Sequence, residues 1–302
     1  MQTLAQLKRR IDSTGELHSV VRSMKTLAAV NIRQYEQASL SLVGYSQTVE
    51  MALGIVLGHN PDTRLYTRRS TRNRPGAVIF GSDQGMCGSL NEQVTSHAIK
   101  ELNQTGRSLG EIPVVCVGVR TADFVSEAGI SNQQVRELPG SVHGITAHVG
   151  DILMTIETWQ TQPQTHVDHV MLFHARQKSA AGYTPQTVHI LPIDSQWIEQ
   201  HQSQAWDSSS LPMFTMEPDR LLSSLIQEYL FITIFRAYAE SMASENAARL
   251  AAMQGAQKNI EELMDDLQSD YNQLRQMSIT EELLDLVSGF EALKPRRKRR
   301  EK

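Results

Sequence analysis

LAAMQGAQKNIEELMDDLQSDYNQL, residues 250–274, steps its apolar side chains by three and four. Leu250, Met253, Ile260, Met264, Leu267, Tyr271 and Leu274 follow that step, with Gln257 the one polar member. A helix turns once per ~3.6 residues, so the spacing lines one face with apolar groups. Such a seam is the mark of a coiled coil and needs a partner helix. The surrounding stretch from Asp219 to Gly289 has no proline and one internal glycine, Gly255. A continuous helix of that span is about 105 Å long at ~1.5 Å per residue. Globular helices average ~11–12 residues, so this one exceeds what a compact domain can hold.

The same stepping recurs at the other end of the chain. Leu4, Leu7, Ile11, Thr14, His18, Val21, Lys25, Ala28, Ile32, Tyr35, Leu42, Tyr45, Val49 and Val56 follow it, with Ser39 filling one slot. This predicts a second long helix over residues 1 to about 57, weakened at Gly15 and Gly44 by ~1 kcal/mol each. The alternative is two amphipathic helices lying on a domain surface, but their length exceeds what one small domain covers. The expected arrangement is an intrachain antiparallel coiled coil, with Leu267 and Leu274 packed on the N-terminal helix.

Between the helices the composition changes. Residues 59–76, HNPDTRLYTRRSTRNRPG, are polar and punctuated by Pro and Gly, as in a linker. AVIFGS (77–82), IPVVCVGV (112–119), HVDHVMLFHA (166–175) and QTVHILPI (186–193) read as buried strands. Helical patterns separate them at 91–102, 121–129 and 144–160. Strands alternating with helices predict a small, Rossmann-like α/β domain inserted between the two long helices. The expected divisions are an N-terminal coiled-coil helix over 1–58, the α/β domain over 75–195, the C-terminal coiled-coil helix over 214–293 and a basic tail over 294–302.

Composition limits the function classes. The chain has 302 residues, 40% of them hydrophobic and 21% charged, as in an ordinary soluble protein. No run is read as the ~18 apolar residues of a membrane span, and the N-terminus lacks a signal-peptide core. Two cysteines, Cys87 and Cys116, fit a reducing compartment better than a disulfide framework. The tail Lys294–Lys302 carries seven basic residues and one acidic, net +6, which leaves −10 on the rest of a chain whose net charge is −4. Such a body does not bind nucleic acid generally; only the tail has the charge for it.

Candidate chemistry is sparse. GSDQGMCGSLN (81–91) is a glycine-rich turn after the first strand, but it has neither the Walker spacing nor the dinucleotide fingerprint. Its glycines read as those of a tight strand-to-helix turn. Cys87 has no ordered base beside it and reads as a packed thiol. The histidines, among them His166 and His169, are scattered and show no metal-ligand spacing. No paired carboxylates stand in a catalytic setting.

Several motifs carry a resemblance. ASENAARLAAMQGAQKN (243–259), Tyr271–Asn272, Arg275–Gln276 and Ile279–Thr280–Glu281 resemble blocks of the gamma subunit of F-type ATP synthases. DQGMCGSLN (83–91), SMKTLAAVNIRQ (23–34) and MEPD (216–219) resemble further blocks of that family, in the same order along the chain. The resemblance implies a rotor shaft: an antiparallel coiled coil on the axis of a hexamer of alternating alpha and beta subunits. It places the α/β domain against the epsilon subunit and the membrane c ring. It implies no active site and no cofactor or metal, with a peripheral location on the cytoplasmic face of a bacterial plasma membrane, or on a thylakoid in a cyanobacterium. Torque would pass between ion flow in the ring and ATP chemistry in the beta subunits.

Residue by residue, Arg275, Gln276 and Thr280 resemble positions that contact a loop of a beta subunit. Met24, with Lys25 beside it, resembles the position facing that subunit's acidic lever segment. Met216, Glu217 and Asp219 resemble the foot near the c ring. The chain departs from the family at Asn31 (usually Lys), Lys25 (commonly Glu), Gln84 (often basic) and in its basic tail. These departures suggest a divergent branch, such as the alternate ATPases some bacteria carry. Two rivals stand beside this reading. A nucleotide- or metal-dependent enzyme on the α/β domain predicts turnover or nucleotide binding by residues 75–195. A nucleic-acid-associated coiled coil predicts salt-sensitive DNA binding through Lys294–Lys302.

Overall fold

The computed structural model describes residues 3–59, 74–162, 166–178, 182–193 and 213–293. The expected basic tail lies outside them. The chain divides into two compact units, residues 1–25 with 253–302, and residues 26–252.

In the first unit, α1 (Leu4–Ser41) supplies its N-terminal part and α6 (Pro218–Leu293) its C-terminal part. Burial follows the expected seam. Leu7 and Val21 on α1, and Met253, Ile260 and Leu267 on α6, are buried. Gln257, Met264, Tyr271 and Leu274 are half-buried there; Leu250, also half-buried, belongs to the second unit. Among the described residues the unit holds only these two helices, so each of its own seam residues is covered by the other helix. Val21, Met253 and Ile260 form one apolar cluster, with Met24, Ala256 and Met264 against it. Polar rungs fix the antiparallel register: His18 Nε2 lies 3.1 Å from Glu261 Oε1, and Lys25 Nζ donates to Gln257 Oε1 at 2.6 Å. Helix α6 runs through Gly255 without a break, and that glycine is exposed.

The second unit is built on a five-stranded sheet of order β3-β2-β1-β4-β5. Its strands are β1 (Pro75–Phe80), β2 (Val114–Val117), β3 (Gln133–Arg136), β4 (His169–Gln177) and β5 (Tyr183–Leu191). The first four are parallel and β5 runs antiparallel to β4. The helices α2 (Val43–His59), α3 (Leu90–Gln104), α4 (Val119–Glu127) and α5 (Ile145–Thr161) connect or cover it. Alternate strand residues serve opposite cores. Val78, Phe80, Val115, Val117, Val170 and Leu172 face α2, α5 and α6, whereas Ala77, Ile79, Val114, Cys116, Met171 and Phe173 face α3 and α4. A parallel sheet covered on both faces explains why β1 and β2 read as unbroken apolar runs.

Three features differ from the sequence reading. The N-terminal helix is interrupted at Leu42, so α1 and α2 are separate helices. There the apolar row takes a longer step, and Ser46 rather than Tyr45 turns inward: Ser46 is 6% exposed and Tyr45 45%. β3 was absent from the sequence reading because Gln133, Gln134 and Arg136 leave Val135 as its one apolar residue, 42% exposed. It is held by main-chain bonds to β2, such as Val114 N to Asn132 O and Gly118 N to Arg136 O. Finally, an 18-residue window within Leu4–Leu57 has a mean hydropathy of 1.4, apolar enough by length and composition to cross a membrane. In α2, however, Val49, Leu53, Val56 and Leu57 belong to the core beneath the sheet.

Candidate functional site

The loop after β1 is the place where a doubly wound sheet usually receives a ligand. Here its polar groups are spent on one another. Ser82 N donates to Asn91 Oδ1 at 3.0 Å and to Thr121 Oγ1 at 3.2 Å, and Asn91 Nδ2 returns a bond to Ser82 Oγ at 2.8 Å. Asp83 accepts from Val119 N at 2.9 Å, capping α4, and from Leu138 N at 2.8 Å. Gly118, at φ 112°, lies so close that a Cβ would sit 2.7 Å from Ser82 O. The left-handed positions of the turn are Gly88 and, unexpectedly, Met86, at φ 61° and 62°. A non-glycine residue there costs about 1–2 kcal/mol. Cys87 is buried 3.5 Å from Ser82 Oγ. Burial pushes the Cys116 thiol up to about 12. His166 bonds Gln160 O and lies 3.3 Å from Asp168. Among the described residues, no group of three or more His, Cys, Asp or Glu is placed to hold a metal.

The outward surfaces are more distinctive. Arg275, Gln276 and Thr280 are all exposed on α6, and Thr280 Oγ1 donates to Gln276 O at 2.8 Å. No ion pair to Arg275 is formed among the described residues, so its planar fork of donors faces outward. Met24 is half-buried against the Val21–Met253–Ile260 cluster, and Lys25 is tied to Gln257. At the start of α6, Pro218 occupies the first helical position and Glu217 O accepts Leu221 N at 3.0 Å. Asp219 lies in the first turn, where a negative charge meets the helix dipole favourably. Met216, 46% exposed, projects outward, while Phe214 packs against the core. The first unit thus keeps Arg275, Gln276 and Thr280 together on α6, and the second keeps Met216, Glu217 and Asp219 together where α6 begins.

One surface escaped the sequence reading. The polar rungs pair His18 with Glu261 and Lys25 with Gln257, a register that sets Leu4, the first residue of α1, opposite about residue 276 of α6. Past it α6 exposes Leu283, Leu284, Leu286 and Val287, each at 56–69%. Helix propensity alone does not explain four exposed aliphatics in five positions.

A family description, ATP synthase, matches residues 3–293. The chain belongs to that family. The ATP synthase gamma chain of Heliobacterium modesticaldum is 28% identical over 299 residues, covering 97% of this chain and all of its own length. That of Staphylococcus haemolyticus is 26% identical over 302 residues with the same coverage. Among solved structures, a chain in the Euglena gracilis mitochondrial ATP synthase (OSCP/F1/c-ring, rotational state 3) aligns with a TM-score of 0.66 at 17% identity, over 99% of this chain and 98% of that one. A chain of the Tetrahymena thermophila central stalk and c ring aligns at 0.54 and 18% identity, over 78% of this chain and 99% of that one.

Proposed function

We propose that the chain is the gamma-type central shaft of a rotary ATP synthase. It couples ion flow through a membrane c ring to ATP synthesis or hydrolysis in an alpha/beta hexamer, and holds no active site itself. The observation that carries this reading is the end of α6. Arg275 and Gln276 stand exposed there, followed by exposed aliphatic side chains that lie past the first residue of α1. An outward guanidinium suits charge-assisted hydrogen bonds to a beta-subunit loop. The apolar turns beyond it suit a close-fitting bearing that buries them without fixed polar partners.

In this reading Arg275, Gln276 and Thr280 meet a beta subunit, and Met24 and Lys25 lie at a second beta contact. Met216, Glu217 and Asp219 approach the epsilon subunit and the c ring. Segments 1–58 and 214–293 serve as the shaft, and 75–195 as the foot. The complex sits peripherally on the cytoplasmic face of a bacterial plasma membrane. A two-helix coiled coil suits a turning part because its backbone bonds and seam packing are satisfied internally while its neighbours change. Affinity capture of the tagged chain from its native cells, followed by mass spectrometry, tests the proposal. Stoichiometric alpha and beta subunits are expected, and their absence overturns it.

A further inference from the structure

Within the sheet unit, α6 is held by apolar packing and by a short ladder of directional bonds. Apolar packing resists separation but has little directional preference. The small residues Ala239, Ala243 and Ala247 are buried there and leave few protrusions to interlock. Directional ties join this part of the helix to β4 and, about half a turn round the helix, to the loop after β1. Glu240 Oε2 is 3.0 Å from His174 Nε2 on β4, and Ser244 Oγ donates to Ala175 O at 3.0 Å. Arg249 is the last, three residues before this unit of the chain ends at Ala252. Its Nη2 lies 2.6 Å from Glu245 Oε1, 3.3 Å from Gln84 O and 3.5 Å from Gly85 O.

The pair is costly to maintain. The Glu245 and Arg249 side chains are 6% and 12% exposed. Burial pushes the Glu245 carboxyl above its usual range against the pull of Arg249. Arg249 Nε is buried with no partner among the described residues. Two desolvated charges of this kind contribute little net stability compared with apolar residues of the same size. What they add is direction. A guanidinium presents its donors in a fixed plane. The carbonyls it meets belong to a loop pinned by Asp83 and Asn91 to α3, α4 and the segment after β3.

We propose that Arg249, held in place by Glu245, is a polar key between α6 and the loop after β1, through which a turning moment on the sheet domain reaches the long helix. This rests on the shaft reading above. The test uses the assembled, membrane-bound complex and measures ions pumped per ATP hydrolysed. In E245M/R249M both charges are replaced by apolar groups, so the isolated chain keeps its melting temperature while the grip on Gln84 and Gly85 is lost. Pumping per ATP is expected to fall about threefold to tenfold, the scale of one or two hydrogen bonds lost under load. R249K keeps the charge beside Glu245 but offers a single ammonium, and is expected to fall in between. If the double variant fails to fold, R249K decides by the same ratio. Unchanged pumping per ATP in a folded, assembled variant overturns the key alone. A wild-type chain that does not assemble with alpha and beta subunits overturns the shaft reading and the key with it.

Discussion

Replacing Leu267 by alanine tests whether the first unit is held by its seam. Leu267 is 4% exposed in a unit that consists of two helices, so its cover comes from α1. Truncation to alanine removes about three carbon groups from the interface, or roughly 2.4 kcal/mol at ~0.8 kcal/mol per buried group. Water can enter a two-helix seam, so little additional cavity cost is expected, and the value falls at the low end of the ~2–5 kcal/mol seen for core Leu→Ala changes. The effect should be local, because sub-global opening of a helical end costs less than global unfolding. Native-state hydrogen exchange on the full chain reads it directly. Amides near residues 4–11 and 264–274 should exchange about 50-fold faster in L267A, the rate equivalent of that free energy, while amides in β1 and β4 stay unchanged. Leu263, 43% exposed on the outer face, is the internal control, and L263A should change the same amides by less than about threefold. Equal effects from the two substitutions would refute the seam. So would cysteine cross-links between α1 and α6 that form only between chains.

Four further outcomes are expected. R275A should reduce ATP turnover or coupling of the assembled complex while leaving the melting temperature of the isolated chain within a degree or two, because a solvated guanidinium contributes little to stability; an equal loss in the isolated chain would assign it a structural role. G118A should destabilise the sheet unit by about 2 kcal/mol or more in chemical denaturation, since a Cβ there meets Ser82 O at 2.7 Å and the backbone sits at φ 112°. Burial pushes Glu240 up, but its hydrogen bond to His174 and the charges of His174, Arg176 and Arg236 outweigh this and hold the carboxyl below its usual value. A depressed carboxylate contributes stability above the unfolded value that is lost as pH falls through the folded one, so wild type should lose stability more steeply than E240Q on the acid side of the ordinary carboxylate range. Deleting Lys294–Lys302 should alter ATP hydrolysis of the complex at low salt and not at high salt, as exposed ion pairs of about 0.2–1 kcal/mol would; identical rates at both salts would leave the tail without a contact.

Periodicity made the coiled coil legible. A three-four step over residues 250–274 names the buried side of a helix residue by residue, and every position on it is buried or half-buried. The same step misplaced Tyr45 because the row takes one longer step at Leu42, to Ser46, and is back in the expected register at Val49 and Val56; nothing in the letters SLVGYS marks that step beyond Gly44 and its serines. The sheet was legible where strands are buried on both faces, as in β1 and β2, and illegible at β3. An edge strand of polar residues is defined by its neighbour's backbone, which leaves no trace in its own hydrophobicity.

The site was legible in a different way, and its weakness follows from physics. In the proposed function Arg275 acts on a partner that the chain does not contain, so no local pattern distinguishes it from any other exposed arginine. Only the resemblance singled it out. Lys25 shows the converse: periodicity placed it in the seam, resemblance gave it an outward role, and the side chain is bonded to Gln257 across the two helices. A lysine with a flexible four-carbon stem can satisfy Gln257 and still leave part of its charge accessible, so the two readings are compatible only if that bond is labile. The apolar end of α6 needed neither periodicity nor resemblance. Once two polar rungs fix the antiparallel register, Leu283, Leu284, Leu286 and Val287 lie past the first residue of α1 and, among the described residues, stand exposed. Four such side chains left in water would be a liability for a free protein. In the proposed function they meet partner subunits, where packing without fixed hydrogen bonds lets one surface turn against another.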